Sequence, residues 1–118
     1  MEQKNIFSTI AKLKERYAED RESLERIEGE AEKARQLLEK AEYAKNPVTQ
    51  ELLSFFRKEV LYARRKLATD KTLVGDTNAQ NLLWSIIESR MIFIKFVSQD
   101  FEGELKSMTD QLEGDLSE

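Results

Sequence analysis

Residues 6–47 read IFSTIAKLKERYAEDRESLERIEGEAEKARQLLEKAEYAKNP, and this stretch decides the fold. Within it one position recurs at alternating spacings of four and three residues, occupied by Ile6, Ile10, Leu13, Tyr17, Asp20, Leu24, Ile27, Ala31, Ala34, Leu38 and Ala41. Apart from Asp20 these residues are apolar, aromatic or small, which is the heptad pattern of a coiled coil. The pattern therefore predicts one N-terminal helix that continues to Lys45 and is roughly 60 Å long.

The larger residues of this heptad form the predicted coiled-coil interface. They are Ile6, Ile10, Leu13, Tyr17, Leu24, Ile27 and Leu38. Because a compact domain of this size has a radius of gyration of only about 13 Å, we expect part of the helix to project or to pair with another chain. The flanking charges leave open a parallel homodimer, an antiparallel pair and packing against the chain's own helices.

Asn46-Pro47 is the clearest boundary in the sequence. Proline disfavours a helical residue before it and suits the first position of a helix, so Asn46 is predicted to cap a second helix that runs to about Thr69. Apolar residues lie on two sides of this helix, which is typical of a helix between two neighbours; Phe55 and Tyr62 lie on the far side.

A linker over residues 70–78 turns at Gly75, and Asp76 or Thr77 can cap a third helix that reaches about Glu102. The fold class is therefore all-α, with a long N-terminal coiled-coil helix (residues 1–46), a helical hairpin (47–102) and a weakly helical acidic tail (103–118). Together the three helices resemble a three-helix bundle.

The composition of the 118 residues excludes several kinds of chemistry. There is no Cys and no His, so zinc fingers, haem ligation and Ser-His or Cys-His nucleophile pairs are ruled out. No phosphate-binding loop or nucleophile elbow is present, and we expect no catalysis, no cofactor, no metal and no small-molecule substrate. The longest apolar run is the four residues 91–94, so we expect no membrane segment and a cytoplasmic location.

Charge is unevenly distributed along the chain, although the net charge is only −4. Residues 98–118 carry seven acids and one base, whereas six bases lie within residues 57–71. These bases are candidate nucleic-acid contacts, namely Arg57, Lys58, Arg64, Arg65, Lys66 and Lys71. The alternative is that they keep the helix soluble or pair with acidic residues elsewhere in the chain.

Two further features suggest contacts between helices. Asp20 and Arg90 each stand in an otherwise apolar stripe, and we consider that they form a buried ion pair; the alternative is that one of them lies where water enters. Ile92 and Phe96 lie away from the main stripe of the third helix and form a candidate partner patch, unless that helix is buried all round.

Residues 41–97 resemble small helical proteins encoded among the structural genes of tailed bacteriophages. The resemblance rests on Ala44-Lys45-Asn46-Pro47 opening a helix, on Asp76-Thr77 after a short loop, and on Leu83-Trp84 followed by Ile86-Ile87. It implies a phage context, in the host cytoplasm or the virion, and no catalytic residues. The sequence thus predicts a non-catalytic oligomerisation or assembly module, with a nucleic-acid-associated accessory protein as the alternative.

Overall fold

The computed structural model describes residues 5–117, and within that range the protein is all-α. Five α-helices follow one another along the chain: α1 (Ile6–Arg16), α2 (Arg21–Lys45), α3 (Pro47–Thr69), α4 (Thr77–Val97) and α5 (Phe101–Ser117). A short 3₁₀ turn, Lys71–Leu73, lies between α3 and α4. None of the described helices is both long enough and apolar enough to cross a membrane.

The chain forms two compact units. Among the described residues the terminal unit contains 5–43 and 100–117, so it includes α1, most of α2 and α5. The hairpin unit contains Ala44–Gln99, with α3 and α4. The predicted acidic tail therefore belongs to the same unit as the N-terminal heptad.

The prediction of a single helix from Ile6 to Lys45 is wrong, because the chain leaves helical geometry between Arg16 and Arg21. Asp20 is exposed and caps the start of α2: its carboxylate accepts hydrogen bonds from the Ser23 backbone N–H at 3.2 Å and from the Ser23 hydroxyl at 2.7 Å. An aspartate that binds the backbone ahead of it starts a helix and competes with continuation of the preceding one. The polar interruption of the heptad is thus a helix boundary.

The terminal unit buries much of the heptad within the chain. Its core contains residues from α1, α2 and α5, namely Ile6, Ile10, Leu13, Ile27, Ala31, Ala34 and Leu112. Of the remaining predicted interface residues, Tyr17 packs against this core, Leu24 is half-buried and Leu38 is exposed. The Arg16 guanidinium donates hydrogen bonds to the backbone carbonyls of Asp115 and Leu116, so the carboxyl ends of α1 and α5 meet.

The third predicted helix ends earlier than expected, at Val97 rather than Glu102, and the tail is a complete helix. Asp100 begins α5, because its carboxylate accepts the Gly103 N–H at 2.9 Å and its carbonyl accepts the Glu104 N–H at 3.1 Å. Phe101, Thr109 and Leu112 are buried, so α5 has an apolar side that packs in the terminal unit.

The hairpin unit begins and turns as the sequence predicts. The Asn46 side chain accepts the Val48 N–H at 2.9 Å, and α3 extends from Pro47 to Thr69. Gly75 has a φ of 81°, a left-handed conformation that favours glycine, and Asp76 caps α4 by accepting the Ala79 N–H at 3.0 Å. The core between the two helices contains Val60, Ala63, Leu73, Leu83 and Ile87.

Two capping carboxylates, Asp20 of α2 and Asp70 of the 3₁₀ turn, should make the stability of the protein depend on pH in acidic solution. Hydrogen bonds from the Ser23 hydroxyl to Asp20 and from the Thr72 hydroxyl to Asp70 favour the charged carboxylates and hold both pKa values below their ordinary range. Because these pKa values are lower in the folded than in the unfolded chain, the stabilisation is present above pH about 4 and is lost as the pH falls below it.

Replacing both residues (Asp20→Asn with Asp70→Asn) keeps a capping oxygen but removes the titration. We expect the urea midpoint of this variant to fall less steeply than that of the unaltered chain between pH about 4 and about 2. Equal slopes in urea titrations across this range would contradict the assigned pKa shifts.

A candidate interaction surface on the helical hairpin

Each helix of the hairpin has an inner seam that faces the other helix. In α3 the inner seam is Thr49, Leu53, Phe56, Val60, Ala63 and Leu67, and in α4 it is Leu83, Ile87, Arg90, Ile94 and Val97. All of these residues are buried or partly buried. Their alternating spacing of three and four residues keeps one side of each helix toward its neighbour.

Each helix also has a second, outer seam with the same spacing, on another side of the helix from the inner one. In α3 the outer seam is Val48, Leu52, Phe55, Glu59, Tyr62 and Lys66, and in α4 it is Leu82, Ser85, Ser89, Ile92 and Phe96. Most of its large apolar residues are exposed to solvent: Val48, Leu52, Phe55, Tyr62, Leu82 and Ile92. Two heptad seams on one helix are the pattern of a helix with two neighbouring helices.

Arg90, in the inner seam of α4, pairs with the outer seam of α3, whereas the outer seam of α4 lies largely on the side of that helix away from α3, as the period of 3.6 residues requires. The Arg90 Nε donates to Glu59 Oε1 at 3.1 Å, and its Nη1 donates to the Ser89 hydroxyl at 3.2 Å. Glu59 belongs to the outer seam of α3 and Ser89 to that of α4. We call the surface formed by both outer seams the outer face.

Aromatic rings extend across the hairpin beside this ion pair. The ring centroids of Phe55 and Phe56 are 6.2 Å apart, and Phe56 meets Phe93 edge to face at 5.2 Å. The Arg90 guanidinium lies 4.7 Å from the Phe56 centroid, a cation–π distance. Aromatic contacts therefore lead from Phe55 in the outer seam of α3, through Phe56 in its inner seam, to Phe93 on α4.

Neither Asp20 nor Arg90 has the surroundings that the predicted buried ion pair requires. Asp20 is exposed and binds Ser23, whereas Arg90 is partly buried and pairs with Glu59. Asp20 caps its own helix, and the antiparallel packing of α3 and α4 brings the Glu59 carboxylate to Arg90.

The candidate partner patch is part of the outer face. Ile92 is 74% exposed, and Phe96 is partly buried. The sequence predicts the α4 part of the outer face as a partner surface. It does not predict the α3 part, although Phe55 and Tyr62 lie away from the main apolar stripe of that helix. The missed signal is the second heptad of α3, which begins at Val48.

Five of the six candidate nucleic-acid contacts are exposed: Arg57, Lys58, Arg64, Arg65 and Lys71. Within residues 5–117 none of these five forms an ion pair. Lys66 differs, because it is partly buried and its ammonium donates to the Tyr62 hydroxyl at 3.3 Å. Arg57 and Arg64 are seven residues apart, about 10 Å along one side of α3.

The described residues contain no group of three or more acidic side chains placed to hold a metal ion. Comparison of the chain with protein-family models, with curated proteins and with solved structures finds no match.

Proposed function

We propose that this protein is a non-catalytic helical assembly module that binds a partner through its outer face. The observation that carries the proposal is the distribution of exposed large apolar residues. Of the eleven found in residues 5–117, nine belong to the hairpin unit: Val48, Leu52, Phe55, Leu61, Tyr62, Val74, Leu82, Trp84 and Ile92. Two helices cover only one side of each other, and a large exposed apolar patch typically marks an interaction site.

The composition supports a role without catalysis. The sequence has neither His nor Cys, so the side chains that most often act as general base or activated nucleophile near neutral pH are missing. Glu59, the one acidic residue of the outer seams, has a structural role, because it pairs with Arg90 of the inner seam of α4.

The resemblance of residues 41–97 to helical proteins of tailed-phage structural gene clusters supports a structural or assembly accessory role in a phage. On this proposal the protein acts in the host cytoplasm or the virion. An assembly accessory needs a surface that binds another protein, and the outer face offers exposed apolar side chains on two helices for that purpose.

Light scattering over a range of protein concentrations tests the proposal. We expect the mass of the unaltered chain to exceed the monomer value of 13.8 kDa and to rise with concentration. A mass of 13.8 kDa at every concentration would contradict assembly of this protein with itself.

A second candidate function is contact with nucleic acid, favoured by the five exposed cations that lack an ion-pair partner in the described chain. The same light-scattering experiment includes duplex DNA at low salt. Binding predicts a larger complex that dissociates as salt is raised and that is absent when Arg64 and Arg65 are replaced by Glu. A mass unaffected by DNA rejects this function and leaves the assembly proposal standing.

A further inference from the structure

We infer that the outer seam of α3 packs against the outer seam of α3 in a second copy of this chain, with the two α3 helices antiparallel. This inference rests on the proposed assembly function and specifies the contact through which it acts. A helix with two heptad seams is expected to have two helical neighbours. In the described chain α4 covers the inner seam of α3, whereas four of the six residues of its outer seam are exposed.

The exposed residues of this seam are all apolar or aromatic. They are Val48, Leu52, Phe55 and Tyr62, with exposed fractions from 37% to 71%. At roughly 100 Å² each they present about 400 Å² per copy. This is about half of the 800 Å² per partner that a standard interface buries, and the polar rim supplies a further part.

One antiparallel register gives every residue of the seam a partner, because it places the first residue opposite the last. The facing pairs are Val48 with Lys66, Leu52 with Tyr62, and Phe55 with Glu59. A two-fold axis perpendicular to the helices makes each contact twice, and the two Phe55 rings lie within one turn of each other at its centre. The Glu59 carboxylate that faces Phe55 is already neutralised by Arg90 of its own copy.

The charges beside the seam favour the same register. Glu51, Lys58 and Arg65 line the seam at intervals of seven residues, on its side away from the inner seam, and all three are exposed. In an antiparallel pair this flank meets itself in reverse order, so Glu51 of each copy lies beside Arg65 of the other. The two Lys58 side chains meet near the axis, where exposed like charges cost little.

The neighbouring registers are less favourable. A slip of one heptad in one direction places Lys58 beside Arg65 in both contacts and leaves Glu51 without a cation. A slip in the other direction places Tyr62 and Lys66 beyond the start of the second α3. Only the register that aligns the whole seam brings opposite charges together and also covers every exposed apolar residue.

Lys66 is the one charge of the outer seam of α3 without an acidic partner in its own hairpin. Its ammonium donates to the Tyr62 hydroxyl at 3.3 Å and lies 5.6 Å from the ring centroid. In the inferred pair it lies opposite Val48 and one turn from Glu51 of the second copy. A parallel pair would instead bring Lys66 against Lys66 and Glu59 against Glu59, so the charges favour the antiparallel orientation.

Charge reversal at Glu51 and Arg65 tests the pairing. Glu51→Arg and Arg65→Glu are made in separate chains, and both positions are exposed, so each variant is expected to retain its helical circular dichroism. Each variant alone places like charges together in both contacts, which should raise the dissociation constant about tenfold at low salt. An equimolar mixture should regain the affinity of the unaltered chain, because both contacts of the mixed dimer are again attractive. Sedimentation equilibrium measures all three dissociation constants.

The matched control is Arg64→Glu, the same charge reversal one residue earlier, on the side of α3 away from the outer seam. This variant should keep the dissociation constant of the unaltered chain. If the unaltered chain associates but the mixture is no tighter than either variant alone, or if Arg64→Glu weakens association as much as Arg65→Glu, the antiparallel pairing is overturned while assembly stands. If the unaltered chain is a monomer at every concentration, assembly with itself fails too.

Discussion

Replacing Leu13 by Ala is expected to lower the free energy of unfolding by about 3 kcal/mol. Leu13 is 2% exposed and lies in the core formed by α1, α2 and α5. Truncation of a buried leucine removes apolar contacts and leaves a cavity, at a typical cost of about 2–5 kcal/mol. Urea unfolding followed by far-UV circular dichroism measures the change.

Leu38→Ala is the matched control, because Leu38 is also a leucine at a core position of the same heptad pattern. It is 38% exposed, so its truncation should cost less than about 1 kcal/mol. If the heptad instead formed a continuous coiled coil between chains, the two leucines would be similarly buried. Equal losses of stability from the two substitutions would therefore contradict the fold of the terminal unit.

Helix boundaries set by local chemistry were predictable from the sequence. Asn46-Pro47 and Asp76 carry side chains that cap the helix that follows, and the structure confirms both. Asp20 is ambiguous by the same reasoning, because an aspartate in a heptad fits either a polar core position or a helix cap. The choice depends on packing of α1 against α2 and α5, which residue spacing alone does not contain.

The interaction surface was only half predictable for a related reason. Ile92 and Phe96 stand out on α4, whereas on α3 the apolar residues of both seams suggest a helix that is covered on both sides. Which side is covered depends on the register of α3 against α4. That register also decides that Arg90 pairs with Glu59, a partner that no sequence spacing indicates.

The Phe55→Lys substitution is expected to weaken self-association about 100-fold. Phe55 is 58% exposed in the single chain, so the monomer loses little packing. In the dimer each copy would forfeit about 1.5 kcal/mol of apolar burial. Two copies lose about 3 kcal/mol, which corresponds to about 100-fold in the dissociation constant.

Sedimentation equilibrium of three chains, unaltered, Phe55→Lys and Leu61→Lys, tests the role of the outer face most directly. Leu61 is 49% exposed on the same helix and controls for the loss of any exposed apolar residue. We predict one dissociation constant for the unaltered and Leu61→Lys chains and a value about 100-fold higher for Phe55→Lys. Equal dissociation constants for all three chains would contradict the outer face as the surface of assembly.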